Sequence, residues 1–178
     1  MKTTIVLSVI SALMIGPCVV LADDYVGSSV CGQCHDENYD VWQESGHPFA
    51  LTPISASGPV YPFNYNYNTP NVTDPPTVNG SQLSWYDITY VVGGYYHTAI
   101  FADQEGYIIT GDPNDETQWN VWDQEWIPYH AGEQLSLDCA RCHATGYDPA
   151  GHQGDLPGIT GTWAEDGVGC EACHGPDS

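Results

Sequence analysis

Residues 139–143 read Cys-Ala-Arg-Cys-His, and the same spacing of two cysteines and a histidine occurs twice more in the chain. The other copies read Cys-Gly-Gln-Cys-His at residues 31–35 and Cys-Glu-Ala-Cys-His at residues 170–174. With 7 Cys and 7 His in 178 residues, chance alone gives about 0.01 such motifs. The one cysteine outside the three CxxCH motifs is Cys18, in an apolar N-terminal stretch. These motifs therefore decide what kind of fold the chain can form.

The CxxCH spacing is typical of covalent haem attachment. Two cysteines three positions apart on one helical turn face the same way, so each sulfur can reach one vinyl group of a haem. The histidine that follows then projects under the iron as its proximal ligand. The predicted cofactors are three c-type haems, bound by Cys31, Cys34, His35, Cys139, Cys142, His143, Cys170, Cys173 and His174.

Zinc and disulfides are the two alternatives for this pattern. Structural zinc takes four ligands per ion, and three CxxC pairs with three histidines do not divide into such sets. An even number of cysteines in an exported chain is typical of disulfides. A disulfide framework, however, gives no reason for a histidine after every second cysteine. Haem is therefore the favoured interpretation.

Four further histidines are available as sixth ligands of the irons: His47, His97, His130 and His152. Three haems with two histidines each need three of them. His47 follows a helix predicted to start at the first motif, His130 precedes the second motif, and His152 lies in a loop between the second and third. We predict these three as distal ligands, with His97, inside a predicted strand, as the alternative. An ordinary surface histidine is the competing interpretation for each.

Residues 1–22 have the features of a cleaved signal peptide. Lys2 supplies the positive start, Ile5–Ile15 the apolar stretch, and Val20 and Ala22 the small-residue pattern before the cleavage site. An uncleaved membrane anchor is the alternative, because the apolar stretch is nearly long enough to span a bilayer. Both predict export, and the first leaves residues 23–178 as one multihaem cytochrome domain without a stable membrane span.

The charge of the chain excludes several classes of partner. It carries 23 Asp and Glu against 2 Lys and Arg, for a formal net charge of −21. A nucleic-acid binder needs clustered Lys and Arg, and so does a polybasic membrane-surface module. With 42% hydrophobic residues, the sequence is too apolar for a disordered tail. After removal of Lys2, Arg141 is the one basic residue of the mature chain.

The remaining sequence predicts a small multihaem cytochrome of low secondary-structure content. We expect a mostly irregular α+β domain with short helices at the CxxCH motifs and one β-hairpin. A helix capped by Ser28 or Ser29 should continue through the first motif to Gly46. The hairpin should pair Trp85–Val92 with Tyr95–Asp103 across a two-glycine turn.

The chain resembles the multihaem c-type cytochromes with a cytochrome c-552/c-554-like domain, a group that includes the tetrahaem electron acceptor of hydroxylamine oxidoreductase. It is also similar to tetrahaem cytochromes that polymerise into extracellular filaments. The matching stretches are SSVCGQCHDENYDVWQESGH (28–47), YVVGGYYHTAIFADQEGYIITG (90–111), WIPYHAGE (126–133), CARCHATGY (139–147) and GITGTWAEDGVGCEACHGP (158–176).

This resemblance implies paired histidine ligands, closely stacked haems and electron transfer. It implies that His47 is a distal ligand, and it places His130 and His152 in segments that carry histidine in similar proteins. Position 97 is more often lysine in the group. Relatives commonly continue beyond the CHGPG-like segment, whereas this sequence ends four residues after His174, with Asp177 where glycine is usual. A C-terminal truncation that removes a fourth haem would account for the fourth spare histidine.

Electron transfer in the periplasm or outside the cell is the predicted function. A haem iron with two histidine ligands has no open position for bond chemistry. The acidic surface favours cationic redox partner proteins, or mineral and other extracellular acceptors. Self-assembly into a filament is a further expectation, because Tyr-rich and Asn-rich loops and an unused histidine suit contacts between copies.

The alternative function is a subunit or fragment of a multihaem oxidoreductase acting on a nitrogen or sulfur compound. Such an enzyme needs one five-coordinate haem with cations beside it to hold an anionic substrate. Arg141, inside a CxxCH motif, is the one cation the mature chain offers. Uncharged hydroxylamine is the substrate that this argument leaves open. We predict no catalytic residue.

Overall fold

The computed structural model of the chain describes residues 24–62 and 71–176. The predicted signal peptide at residues 1–22 lies outside this part, as does most of the Tyr- and Asn-rich stretch at 63–70. Within the described residues, no helix combines the length and the apolar character needed to cross a membrane.

Short antiparallel strands form most of the regular structure in the described part. In chain order they are β1 (Leu51–Pro53), β2 (Thr77–Val78), β3 (Ser81–Gln82), β4 (Tyr90–Gly93), β5 (Thr98–Ala102), β6 (Tyr107–Ile108), β7 (Gln118–Asn120), β8 (Glu125–Ile127), β9 (Leu135–Ser136), β10 (Ala144–Thr145) and β11 (Glu165–Asp166). The main sheet has the order β1-β4-β5-β6-β9, and β7 pairs with both β5 and β8. β2 pairs with β3, and β10 with β11, as two small separate sheets.

The helices of the described part are equally short: α1 (Ser28–Cys31), α2 (Asp36–Gln43), α3 (Ala140–His143) and α4 (Glu171–His174), with 3₁₀ turns at Trp85–Asp87 and Gln153–Asp155. The prediction of low secondary-structure content with short helices at the CxxCH motifs is confirmed. The β content is higher than the single hairpin expected, because strands of two or three residues leave almost no periodic signal in a sequence.

The predicted hairpin exists as β4 and β5, with Tyr90 opposite Ala102 and Gly93 opposite Ala99. Its turn is longer than the two glycines, because residues 94–97 all lie in the loop. The amide of Gly94, whose φ is 87°, closes this loop by donating to the carbonyl of Thr98 at 2.7 Å. Tyr95 leaves the strand because its ring is buried and its hydroxyl donates to the carbonyl of Glu44. His97 is therefore a loop residue, and its prediction as a strand residue was wrong.

The helix predicted through the first motif is divided in two. His35 has φ −122° and ψ 48°, which are not helical values, and it separates α1 from α2. The predicted serine cap is also wrong, since α1 follows Gly27 and has no side-chain cap. The hydroxyl of Ser28 instead donates to Glu165 at 2.8 Å and accepts from the amide of Cys170 at 2.8 Å. Ser28 therefore forms long-range hydrogen bonds instead of the local helix cap that the sequence predicted.

The main sheet has an apolar core on each face, as the alternation of side chains along a strand requires. On one face lie Val91, Ala99 and Phe101, packed with Trp119 and Trp126. On the other face, Val92, Ile100 and Ala102 belong to a cluster that also contains residues beside the second and third motifs: Ala140, Ala144, Ile159 and Trp163. The sheet therefore packs against the second CxxCH motif, through Ala140.

Two carboxylates fasten the start of the described chain to the third motif. Glu171, only 2% exposed, accepts hydrogen bonds from the amides of Val26 at 3.1 Å and Gly27 at 2.7 Å. Glu165 accepts from the amide and the hydroxyl of Ser28. These bonds join segments more than 130 residues apart and bring the first motif against the third.

Replacement of Glu171 should therefore destabilise the folded protein strongly. Glu171→Ala leaves two amides without their charged acceptor, and hydrogen bonds to charged groups contribute about 1.5–3 kcal/mol each. We expect the free energy of unfolding of the haem-loaded protein to fall by about 3 kcal/mol, measured by denaturant titration with circular dichroism. Glu125→Ala, at an exposed position of β8, is the matched control. An equal fall in the free energy of unfolding for the two variants would show that the hydrogen bonds of Glu171 to Val26 and Gly27 do not stabilise the fold.

Candidate functional site

Each CxxCH motif forms one turn closed by the same backbone hydrogen bond. The histidine amide donates to the carbonyl of the first cysteine, at 3.0 Å for His35, 3.0 Å for His143 and 3.1 Å for His174. In every motif the first cysteine is partly buried and the second is exposed. All six cysteines are free thiols. The turn thus presents two thiols and an imidazole in one fixed arrangement, three times over.

The first and third motifs meet at one cavity. It has a volume of about 360 Å³ and is lined by Cys31, His35, Asn38, Cys170 and His174. Cys31 and Cys170, the first cysteines of the two motifs, lie close enough for their side chains to interact. Burial, followed by the neighbouring Cys170 and Glu171, raises the pKa of the Cys31 thiol above its usual range. The histidines of two motifs thus line the same space.

The second motif stands apart and faces a separate, more open hollow of about 300 Å³. Behind it, Ala140 and Ala144 are buried in the core. The Nδ1 atom of His143 lies 2.9 Å from the carbonyl oxygen of Ala50, which can only accept. Nδ1 therefore carries the proton, and the Nε2 lone pair of His143 is free to bind a metal.

His47 has the same proton arrangement as His143. Its Nδ1 atom lies 3.2 Å from the hydroxyl oxygen of Ser45. That hydroxyl already donates its one hydrogen to the carbonyl of Trp42 at 2.7 Å, so it can only accept from the histidine. The Nε2 atom of His47 is therefore available as a ligand. The ring lines a hollow of about 270 Å³ together with Ala50 and Tyr96.

His130 lies in a tight turn beside the second motif. Its Nδ1 atom is 3.3 Å from a carboxylate oxygen of Glu133. His130 has a φ of 50°, in the left-handed region that residues other than glycine rarely adopt. The preceding Tyr129 and Cys139, the first cysteine of the second motif, pack against the same apolar cluster. Burial, followed by Cys139 and Asp138, raises the pKa of this tyrosine.

His152 lies where the loop after the second motif runs beside residues 159–161. Its Nδ1 atom is within 2.5 Å of the carbonyl oxygen of Ile159, another group that can only accept. A parallel bridge to Gly161 holds the backbone of His152 at this place. Nε2 is again the unprotonated nitrogen.

His97 differs from the other three spare histidines. Its Nδ1 atom accepts a hydrogen bond from the indole N–H of Trp122 at 2.7 Å, and indole can only donate. A neutral histidine with an accepting Nδ1 carries its proton on Nε2, which leaves no lone pair there for a metal. The tilted ring contact between the two residues, with centroids 5.8 Å apart, holds this orientation.

The partners that distinguish these histidines were not identified from the sequence. Ser45 and Glu133 lie within three residues of the histidines they contact, so proximity was the available signal. The carbonyl of Ile159 and the indole of Trp122 carried no such signal, because folding alone brings them to His152 and His97.

The arrangement fits covalent haem better than a zinc ion. In the part of the chain that the structure describes, no three His, Cys, Asp or Glu side chains converge as a metal site. Haem instead needs two thiols and one histidine from a single turn, and each of the three turns provides them. The cavity shared by the first and third motifs has mostly apolar walls, as the porphyrin plane requires.

Solved structures that share this fold include two multihaem cytochromes. The undecahaem cytochrome from the S-layer of Carboxydothermus ferrireducens matches with a TM-score of 0.52 and 21% identity, over 90% of this chain and 22% of that one. The outer cell wall cytochrome OcwA matches with a TM-score of 0.53 and 24% identity, over 85% of this chain and 32% of that one. The chain thus spans no more than about a third of either structure. No curated protein sequence matches it.

The family model described as "Cytochrome c554 and c-prime" matches residues 30–59 and 116–175, which together make up half of the chain. The matched ranges contain all three CxxCH motifs. Motifs, fold and family model agree, and the chain belongs to the cytochrome c554 family as a multihaem c-type cytochrome.

Proposed function

We propose that this protein carries electrons through three covalently attached haems, each bound by two histidines. When bound, haem iron supplies a reversible one-electron change between its ferric and ferrous states. The observation that carries the proposal is the repetition of one turn: in each of three CxxCH motifs the same backbone hydrogen bond brings two thiols and a histidine together. The six predicted thioether residues are Cys31, Cys34, Cys139, Cys142, Cys170 and Cys173.

We assign His35, His143 and His174 as proximal ligands and His47, His130 and His152 as distal ligands. The proton positions support the distal set, since Nδ1 of each of the three faces an acceptor and Nε2 keeps its lone pair. The same argument makes His97, the alternative ligand, a poor candidate, because Trp122 donates to its Nδ1. Three proximal and three distal histidines match three haems without help from a further segment or a second copy.

We propose that the haems at the first and third motifs are close neighbours. The contact between Cys31 and Cys170 and the cavity that both motifs line support this pairing. The clamp formed by Glu171 holds the two motifs together from behind. Electrons would pass directly between these two centres, with the second motif as the separate third centre.

We propose that residues 1–22 direct export and are removed, and that the mature protein works in the periplasm or at the cell surface. The apolar leader supports export. The structural relatives are named as an S-layer and an outer cell wall cytochrome, which agrees with such a place. The net charge of −21 favours cationic redox partners or mineral surfaces, with binding that weakens as salt rises.

The resemblance to filament-forming cytochromes leaves self-assembly as a second proposal. The Tyr- and Asn-rich stretch supports it only in composition. His97 adds no support as a bridging ligand to a neighbouring copy, since its Nε2 carries a proton. We therefore expect complete iron ligation within a single chain, whether or not copies assemble.

The mass of the purified protein tests the haem count and the leader together. The denatured protein, expressed with c-type cytochrome maturation, should have the mass of residues 23–178 plus three haems. Replacing both cysteines of one motif by alanine, as in Cys139→Ala with Cys142→Ala, should remove one haem. Two haems in the parent protein, or retention of all three in the variant, would contradict the assignment.

Spectroscopy of histidine variants tests the distal ligands. His47→Gln, His130→Gln and His152→Gln should each convert one of the three low-spin haems to a high-spin haem that binds carbon monoxide after reduction. His97→Gln is the matched control and should leave every haem low-spin. The spectra should be the same in dilute and concentrated protein, since no ligand comes from another copy.

Two outcomes would overturn parts of this proposal. A high-spin haem in His97→Gln would make His97 a ligand and refute the argument from Trp122. A high-spin haem that binds carbon monoxide in the unmodified protein would show an open iron site, and would favour the oxidoreductase alternative over a pure carrier.

A further inference from the structure

The three proposed distal histidines donate to acceptors of different charge. His47 faces a serine hydroxyl and His152 a backbone carbonyl, both neutral. His130 faces the carboxylate of Glu133, at 3.3 Å from Nδ1. Among these three acceptors, Glu133 is thus the one that places a full negative charge beside the histidine ring.

The pair of His130 and Glu133 is fixed by the backbone of their turn. The amide of Glu133 donates to the carbonyl of His130 at 2.9 Å, and the amide of Gly132 donates to the carbonyl of Gly111 at 3.0 Å. The hydroxyl of Thr110 donates to the carbonyl of Glu133. His130 keeps its left-handed backbone, with a φ of 50°, inside this turn. An unfavourable backbone conformation persists where the surrounding structure determines it, as these bonds do here.

A carboxylate that accepts the Nδ1 proton of a histidine changes the ring as a ligand. It draws the N–H bond toward itself and leaves more electron density on Nε2, which makes the ring a stronger donor to a metal. A stronger donor and a nearby negative charge both favour the more positive, ferric state of iron. The Glu133 side chain is 61% exposed, so water screens its charge in part. The hydrogen bond acts on the ring directly and is less affected by that screening.

We propose that Glu133 is a positioning residue that holds the Nδ1 proton of His130 and lowers the reduction potential of the haem that His130 binds. The proposal rests on the assignment of His130 as a distal ligand. It goes beyond that assignment because it names a residue, Glu133, that makes one of the three haems harder to reduce than the two histidine ligands would make it by themselves.

The test is a redox titration of the haem-loaded protein followed by low-temperature EPR, which separates the low-spin haems by their g values. Glu133→Gln keeps an oxygen that can accept from Nδ1 but removes the charge. We expect all haems to stay low-spin, one of the three midpoint potentials to become more positive, and the g values of that haem alone to shift. Glu133→Ala removes the acceptor too and should move the same haem further in the same direction.

Glu125→Gln is the matched control, because it removes one negative charge from an exposed position on β8, a few residues before His130 in the sequence. It should leave all three potentials and all g values unchanged. A Glu133→Gln protein indistinguishable from this control would overturn the proposal, and so would a shift toward more negative potential.

His130→Gln separates failure of this inference from failure of the ligand assignment. If His130→Gln gives one high-spin haem while Glu133→Gln changes nothing, His130 is a ligand and the role of Glu133 is refuted alone. If His130→Gln leaves every haem low-spin, the ligand assignment itself is refuted. The haem whose potential moves in Glu133→Gln must be the one that becomes high-spin in His130→Gln, and a mismatch would also refute the role of Glu133.

Discussion

The hydrogen bond from the histidine amide to the carbonyl of the first cysteine, repeated in all three CxxCH motifs, is the local interaction on which the rest of the structure depends. It closes a single helical turn, and that turn fixes two thiols and one imidazole relative to each other. A turn of this length is marginal by itself, because helix nucleation costs more than one hydrogen bond returns. The antiparallel sheet and its two apolar faces therefore serve to hold turns that could not persist alone. Attachment through two thiols in turn relieves the chain of the need to bury each haem completely.

Contacts distant in sequence determine how the three turns are arranged. Glu171 lies inside the third motif and accepts hydrogen bonds from the amides of Val26 and Gly27, just before the first motif, so this one residue joins the two motifs. Glu165 and Ser28 reinforce the same junction. A carboxylate buried at this junction is stable because several donors surround it, despite the large negative charge of the whole protein. Hydrogen bonds of the polypeptide thus hold the first and third motifs close together.

The sequence predicted the fold class, the motifs and the existence of the β4–β5 hairpin, because each of these leaves a local pattern. It missed the break between α1 and α2 at His35. It also missed the long turn before β5 and the contact of Ser28 with Glu165, which both result from tertiary contacts. Tyr95 lies outside the strand with its hydroxyl donating to the carbonyl of Glu44, and Ser28 donates to Glu165 instead of capping the helix. Strands of two residues, such as β10 and β11, have no periodicity to detect.

The proposed distal ligands show the same dependence on tertiary contacts, here in the position of a single proton on each histidine ring. The sequence does not distinguish the four histidines outside the CxxCH motifs, and all four are exposed in the structure. What separates them is whether the group beside Nδ1 accepts or donates, and that depends on a serine, a carboxylate, a carbonyl and an indole brought there by folding. An indole forces the proton onto Nε2, whereas the other three groups keep it on Nδ1. The same partners also distinguish His47, His130 and His152 in ligand strength. A charged acceptor at Nδ1 increases the donor strength of the ring more than a neutral acceptor does. Selection of the ligand and adjustment of its strength are thus two consequences of one hydrogen bond.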